Sequence, residues 1–92
     1  MDPTIHGDSK AAAEKRKVLV MLLLSIVAVR GSIPSGHLWA EVMEHIPHLT
    51  DYEILVGLLE HAKWVRKSGH TITATEEGKT IGLKVAAALA AG

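Results

Sequence analysis

The 92-residue sequence contains no cysteine and no phenylalanine. Without cysteine there is no disulfide framework, no zinc ribbon and no thiol nucleophile, and the composition fits a reducing compartment, so a cytoplasmic location is expected. Trp39, Trp64 and Tyr52 are the only aromatic residues. The core must therefore be aliphatic, built from Leu, Val, Ile and Ala. Net charge is lacking too, because ten Lys and Arg balance ten Asp and Glu. That balance excludes a uniformly basic nucleic-acid coat or tail. A hydrophobic content of 48% with 22% charged residues excludes a disordered chain. The length admits one domain, since two would need about 50 residues each.

A long apolar run is also missing. Val18 to Val29 reads VLVMLLLSIVAV, twelve residues with one Ser. A transmembrane helix needs about 20. Lys15, Arg16 and Lys17 precede the run, which resembles the basic start of a signal peptide. However, Ala28-Val29-Arg30-Gly31 is a poor cleavage site. The run is read as a core helix, and no membrane association is expected.

Capping residues and breakers divide the chain. Residues 1–8 carry Pro3 and Gly7 and are expected to form a flexible N-terminal arm, leaving residues 9–92 as a single domain. Asp8 or Ser9 can cap a first helix that Gly31 stops. Residues 31–36 read as a turn, with Pro34 suited to the first turn of a second helix running to about His45. Leu38 and Val42, with Trp39 and Met43 beside them by spacing, turn inward there, and Pro47 ends it. Thr50-Asp51-Tyr52-Glu53 has the pattern of a capping box. It opens a third helix whose inward stripe is Ile54, Leu55, Leu58, Leu59 and Ala62. The period then changes to alternation. Residues 64–67 and 71–74 read as two strands of a tight hairpin around Ser68-Gly69-His70. Thr75 can cap a final helix, with Glu76 and Glu77 placed favourably for its dipole.

This order of elements predicts a mainly α fold with a small β-hairpin, and it resembles a winged helix-turn-helix domain. Leu58 to Val65 looks like a recognition helix passing into the first wing strand. Ile72-Thr73-Ala74-Thr75-Glu76-Glu77-Gly78-Lys79 is similar to the leucine-threonine-x-x-glycine step that leaves the second wing strand. Ile72 or Ala74 takes the apolar place, Thr75 the cap and Gly78 the glycine. The resemblance covers residues 16–90 and implies a DNA-binding, transcription-regulator-like protein, usually a dimer.

Charge placement separates two functions. Residues 31–62 hold Glu41, Glu44, Asp51, Glu53 and Glu60 and no Lys or Arg. A helix entering the major groove normally offers Arg, Lys, Asn or Gln. The spacing places Thr50, Asp51, Tyr52, Glu53, Val56 and Gly57 on the outward side of the third helix, where carboxylates would repel phosphate. Double-stranded DNA would instead meet Lys63, Arg66, Lys67 and His70 at the wing, supported by Lys15, Arg16 and Lys17. Against this stands the plain reading that charge runs flanking apolar segments simply face water. The alternative function is a protein-interaction module that keeps the fold without binding DNA. Its acidic 31–62 segment would face a basic partner, with Tyr52 and Val56 as contacts.

A homodimer is expected. The Val18 to Val29 stretch of the first helix is apolar on every side and needs cover all round. In the last helix, Gly78, Gly82, Ala86 and Ala90 form a small-residue row that allows close helix approach. Met21, Leu24 and this row are the candidate interface. The competing reading packs the two helices together inside one subunit. His37, Glu41 and His45 recur at four-residue spacing and His48 follows Pro47, but there is no HExxH motif and no cysteine to complete a tetrahedral site, so neither a metal nor another cofactor is expected. Ser35 and Ser68 are turn residues outside any nucleophile motif, and catalysis is not expected.

Overall fold

The computed structural model describes the backbone of residues 3–92 and the side chains from Ala11 onward. The side chains of the expected arm over residues 1–8 lie outside the described residues, and the backbone is already helical from Pro3, so α1 does not start at an Asp8 or Ser9 cap. Helix α1 (Pro3–Arg30) is followed by strand β1 (Ser32–Pro34), α2 (Ser35–Val42), α3 (Leu49–His61), β2 (Val65–Ser68), β3 (Thr71–Ala74) and α4 (Glu76–Ala91). The fold is therefore mainly helical with a small antiparallel sheet. At a rise of about 1.5 Å per residue, α1 is about 42 Å long. That matches the longest dimension of the molecule, 45 Å.

Helix α1 divides into two parts. Ala11 to Val18 are exposed, whereas Leu23, Leu24, Val27 and Ala28 are fully buried. The apolar second half is the spine of the core, covered chiefly by α4 and also by α3 and the sheet. The rest of the run is covered only in part, with Leu19, Met21 and Ile26 half-buried and Val18 and Val29 exposed. No helix among the described residues is long and apolar enough to cross a membrane. Gly31, at φ +80°, ends α1 with its N–H on the Val27 carbonyl at 2.7 Å. A left-handed backbone of this kind favours glycine.

The segment after Gly31, expected to be a turn, contains a strand. β1 pairs with β3 through Ser32↔Thr73, Ile33↔Ile72 and Pro34↔Thr71, giving the strand order β1-β3-β2. Pro34 lacks an N–H, and it occupies the last position of this edge strand, where it costs no ladder bond. It is also the N-cap residue of α2, not a residue of its first turn. Helix α2 is shorter than expected and stops at Val42. A turn over residues 43–45 follows, with the His45 and Ile46 amides both on the Val42 carbonyl at 2.9 Å. Buried Ile46 fixes this corner.

Helix α3 differs from its sequence pattern in both cap and face. It starts at Leu49 with His48 as N-cap and no side-chain cap bond, so the Thr50–Glu53 capping box does not form. Its buried residues are Tyr52, Leu55, Val56 and Leu59, while Ile54, Leu58 and Ala62 are exposed. The Tyr52 hydroxyl donates to the Ser35 carbonyl at 3.0 Å and lies 3.1 Å from the Ser35 hydroxyl. Its ring packs against Trp39 at a centroid distance of 5.2 Å. This aromatic strut joins α2 to α3 and turns the α3 face inward around Tyr52.

Candidate nucleic-acid interface

The hairpin cations sit on a junction built to hold them. Helix α3 closes with the Trp64 amide on the Leu59 carbonyl at 3.0 Å and the Lys63 amide on the Glu60 carbonyl at 2.9 Å. These are the paired bonds of a Schellman termination, which requires a left-handed residue at its centre. That residue is Lys63, at φ 64°, where glycine is usual. The junction is then tied to α4. The Thr75 hydroxyl donates to the Lys63 carbonyl at 2.7 Å and accepts from the Gly78 amide at 3.1 Å. The Thr75 amide donates to the Trp64 carbonyl at 3.0 Å. Thr75 is thus the cap that the sequence indicates, and it also clamps the start of the hairpin.

The hairpin closes through Gly69-His70, with Gly69 at φ 60°. Positive φ at the first central position suits a two-residue hairpin turn. The His70 carbonyl accepts from the Ser35 amide at 2.6 Å, so the tip is pinned to the start of α2. Successive strand residues point to opposite faces. Arg66 therefore shares the outer face with its row partners Thr73 and Ser32, and with Ser68 and Thr71 one row on. Lys67 lies in the row of Ile72 and Ile33 on the other face, at the rim of edge strand β2. The hairpin cations therefore lie on both faces of the strand and do not form one flat patch.

No residue between Val65 and Thr75 is acidic. The one ion pair among the described residues joins Arg30 to Glu41, so Lys63, Arg66 and Lys67 have no carboxylate partner. Glu76 and Glu77 stand at the hairpin base, with Glu77 accepting from the Trp64 indole at 3.4 Å. The outer-face hydroxyls of Ser32, Thr71 and Thr73 were not singled out from sequence. The alternation Thr71-Ile72-Thr73 carried that signal for two of them. Ser32 could be placed only once β1 was known to join the sheet.

Lys15, Arg16 and Lys17 do not join this site. Gly31 is tied to the hairpin base by the Ala74 amide on its carbonyl at 2.9 Å. Lys17 lies thirteen residues before Arg30, about 20 Å back along the helix. Lys15 and Arg16 instead border a cleft of ≈ 420 Å³ beside the corner between α2 and α3.

The outward face of α3 carries exposed Ile54, Gly57 and Leu58 with Asp51, Glu53 and Glu60. Tyr52 and Val56, expected as partner contacts, are 3% and 4% exposed and belong to the core. The expected dimer residues divide likewise. Leu24 is fully buried. A Cβ on Gly78 would fall 2.6 Å from the Trp64 carbonyl carbon, and one on Gly82 would fall 2.5 Å from the Ala28 Cβ. These three residues serve packing within the subunit. Met21 and Ala86 are half-buried and Ala90 is exposed. Of the histidine group, His45 lies beyond the end of α2 and Glu41 is engaged by Arg30. Among the described residues no three His, Asp or Glu side chains gather as a metal site.

Comparison with protein families, curated proteins and solved structures finds no match to this chain.

Proposed function

We propose that this protein is a winged helix-turn-helix domain that binds double-stranded DNA through its hairpin. The succession of three helices, hairpin and fourth helix supports the fold reading. The observation that carries the function is the pinned hairpin, with Lys63, Arg66 and Lys67 unpaired and no carboxylate along its length. Phosphate oxygens accept from such cations and from hydroxyls like those of Ser32 and Thr73. Helix α3 does not enter the groove, because its outward face offers carboxylates and aliphatic carbons. The protein acts as a homodimer, which would present two hairpins to one duplex.

Fluorescence anisotropy with a mixed-sequence duplex across a salt series tests this. Each phosphate neutralised contributes about −0.9 to the log–log slope, so one hairpin gives roughly −3. Reversing charge at Lys63, Arg66 and Lys67 should flatten the slope. Reversal at Lys15, Arg16 and Lys17 shows whether the same duplex reaches the far end of α1. An unchanged slope in the hairpin variant overturns the assignment.

The outer face of α3 favours a second reading, a module that binds protein without DNA. Ile54 is 53% and Leu58 44% exposed, one helical turn apart and flanked by acids. Absence of DNA binding even at low salt would leave that reading standing.

A further inference from the structure

The cleft beside Lys15 and Arg16 has its own chemistry. Its walls are the exposed half of α1, the corner over residues 45–48 and the first turns of α3. The floor is aliphatic, formed by Leu19, Ile46, Ile54 and Leu55. Ile54 is half exposed, so this apolar surface is open to solvent. The rim is charged unequally. Lys15 and Arg16 stand on the α1 side, and Asp51 is the one carboxylate in the lining, with the imidazoles of His45 and His48 completing it. At 420 Å³ the volume lies in the range of about 300–1,000 Å³ typical of small-molecule sites.

We propose that this cleft binds an amphipathic organic monoanion, a carboxylate carrying an aliphatic chain of medium length. The charge balance selects the head group. Two cations against one carboxylate favour a single negative charge, and Asp51 opposes a second. A guanidinium holds a carboxylate by two parallel hydrogen bonds. The floor selects the tail, because an aliphatic chain covering Leu19 and Ile54 removes apolar surface from water on both partners. The ligand also has a mechanical consequence. Residues 11–18 of α1 are exposed, and a helical segment of this length with little burial is marginal in water. A ligand bridging Arg16 to the corner and α3 clamps that segment to the body. The inference does not rest on DNA binding, which concerns the opposite end of α1.

Sodium decanoate, titrated below its micellar range into the full 15N-labelled chain, tests the site. Amide shifts should cluster at Leu19, Ile46, His48 and Asp51 to Leu55, and exchange of the amides over residues 11–19 should slow at least threefold. Arg16→Glu and Ile54→Asp change exposed side chains, so the fold should persist by circular dichroism. Each should weaken decanoate at least tenfold. Lys84→Glu, an exposed cation on α4, should leave the affinity unchanged. Uncharged 1-decanol should bind at least fivefold more weakly. The proposal fails if no saturable shifts occur, or if they fall on the exposed leucines Leu83 and Leu89. It also fails if Arg16→Glu and Ile54→Asp bind like the parent, or if decanol matches decanoate.

Discussion

Gly78 and Gly57 are both helical glycines, yet their surroundings give substitutions of opposite sign. The first turn of α4 lies directly against the Trp64 backbone, and a Cβ at Gly78 would come 2.9 Å from the Trp64 Cα. Backbone cannot rotate away as a flexible side chain can. Gly78→Ala should cost about 3 kcal/mol, the upper end for overpacking. A Cβ at Gly57 meets nothing within 4 Å. Gly57→Ala should stabilise by about 0.5–1 kcal/mol, the helix-interior penalty of glycine. Urea denaturation midpoints of the two variants should move in opposite directions. Lys63 presents the converse case. Its left-handed backbone costs an L-residue roughly 1 kcal/mol that glycine avoids. Lys63→Gly should therefore raise the urea midpoint, and, if the proposed DNA contact holds, weaken binding in the anisotropy titration.

At the level of elements, the strut between α2 and α3 has a pH signature. Burial raises the Tyr52 phenol above its ordinary value of 10.0, and the Ser35 hydrogen bond opposes this in part. The folded state therefore holds the proton to higher pH than the unfolded state. Stability from this group is complete below pH 10 and declines as pH rises through the folded value. Tyr52 is the only tyrosine, so phenolate absorbance reads it alone. The native midpoint should lie above that of the chain in urea, and coincident midpoints would contradict its burial. The same strut shows where sequence stopped being informative. Helix α3 carries two apolar stripes, Tyr52-Leu55-Val56-Leu59 and Ile54-Leu58, and spacing alone cannot choose between them. The bond to Ser35 and the tilted ring contact with Trp39 select the first. Strand β1 was hidden for a similar reason, since three residues including a proline show no alternation and gain strand geometry only from pairing with β3. The hairpin, the Thr75 cap and the Gly31 stop depend on local backbone chemistry and were legible. For the candidate site, the positions of the cations were legible, but not the separation of Lys15 to Lys17 from the hairpin, which depends on the path of α1.

Over the whole molecule, the apolar surface left after α1 and α4 pack together determines where a second copy can dock. Leu24, Gly78 and Gly82 are consumed inside the subunit. Ile26, Val29, Ala86 and Leu89 remain together around a shallow groove of ≈ 300 Å³ beside the C-terminal turns of α1 and α4. Val29 is 63% and Leu89 59% exposed. Isolated exposed residues are ordinary on protein surfaces, whereas a contiguous apolar group marks an interface. If the proposed homodimer forms, this groove should be its interface. Arg30 and Glu41 border it as an ion pair and would form part of its polar rim. Sedimentation velocity at about 100 μM should show a dimer, consistent with the modest affinity of a small apolar interface. Leu89→Glu places a charge in the groove without touching the core. It should yield a monomer with unchanged helical content, and with DNA affinity lowered because one hairpin is then bound in place of two. A monomeric parent at that concentration would refute the dimer. A dimer that survives Leu89→Glu would move the interface elsewhere, with the exposed Ile54–Leu58 face of α3 as one apolar surface able to hold it.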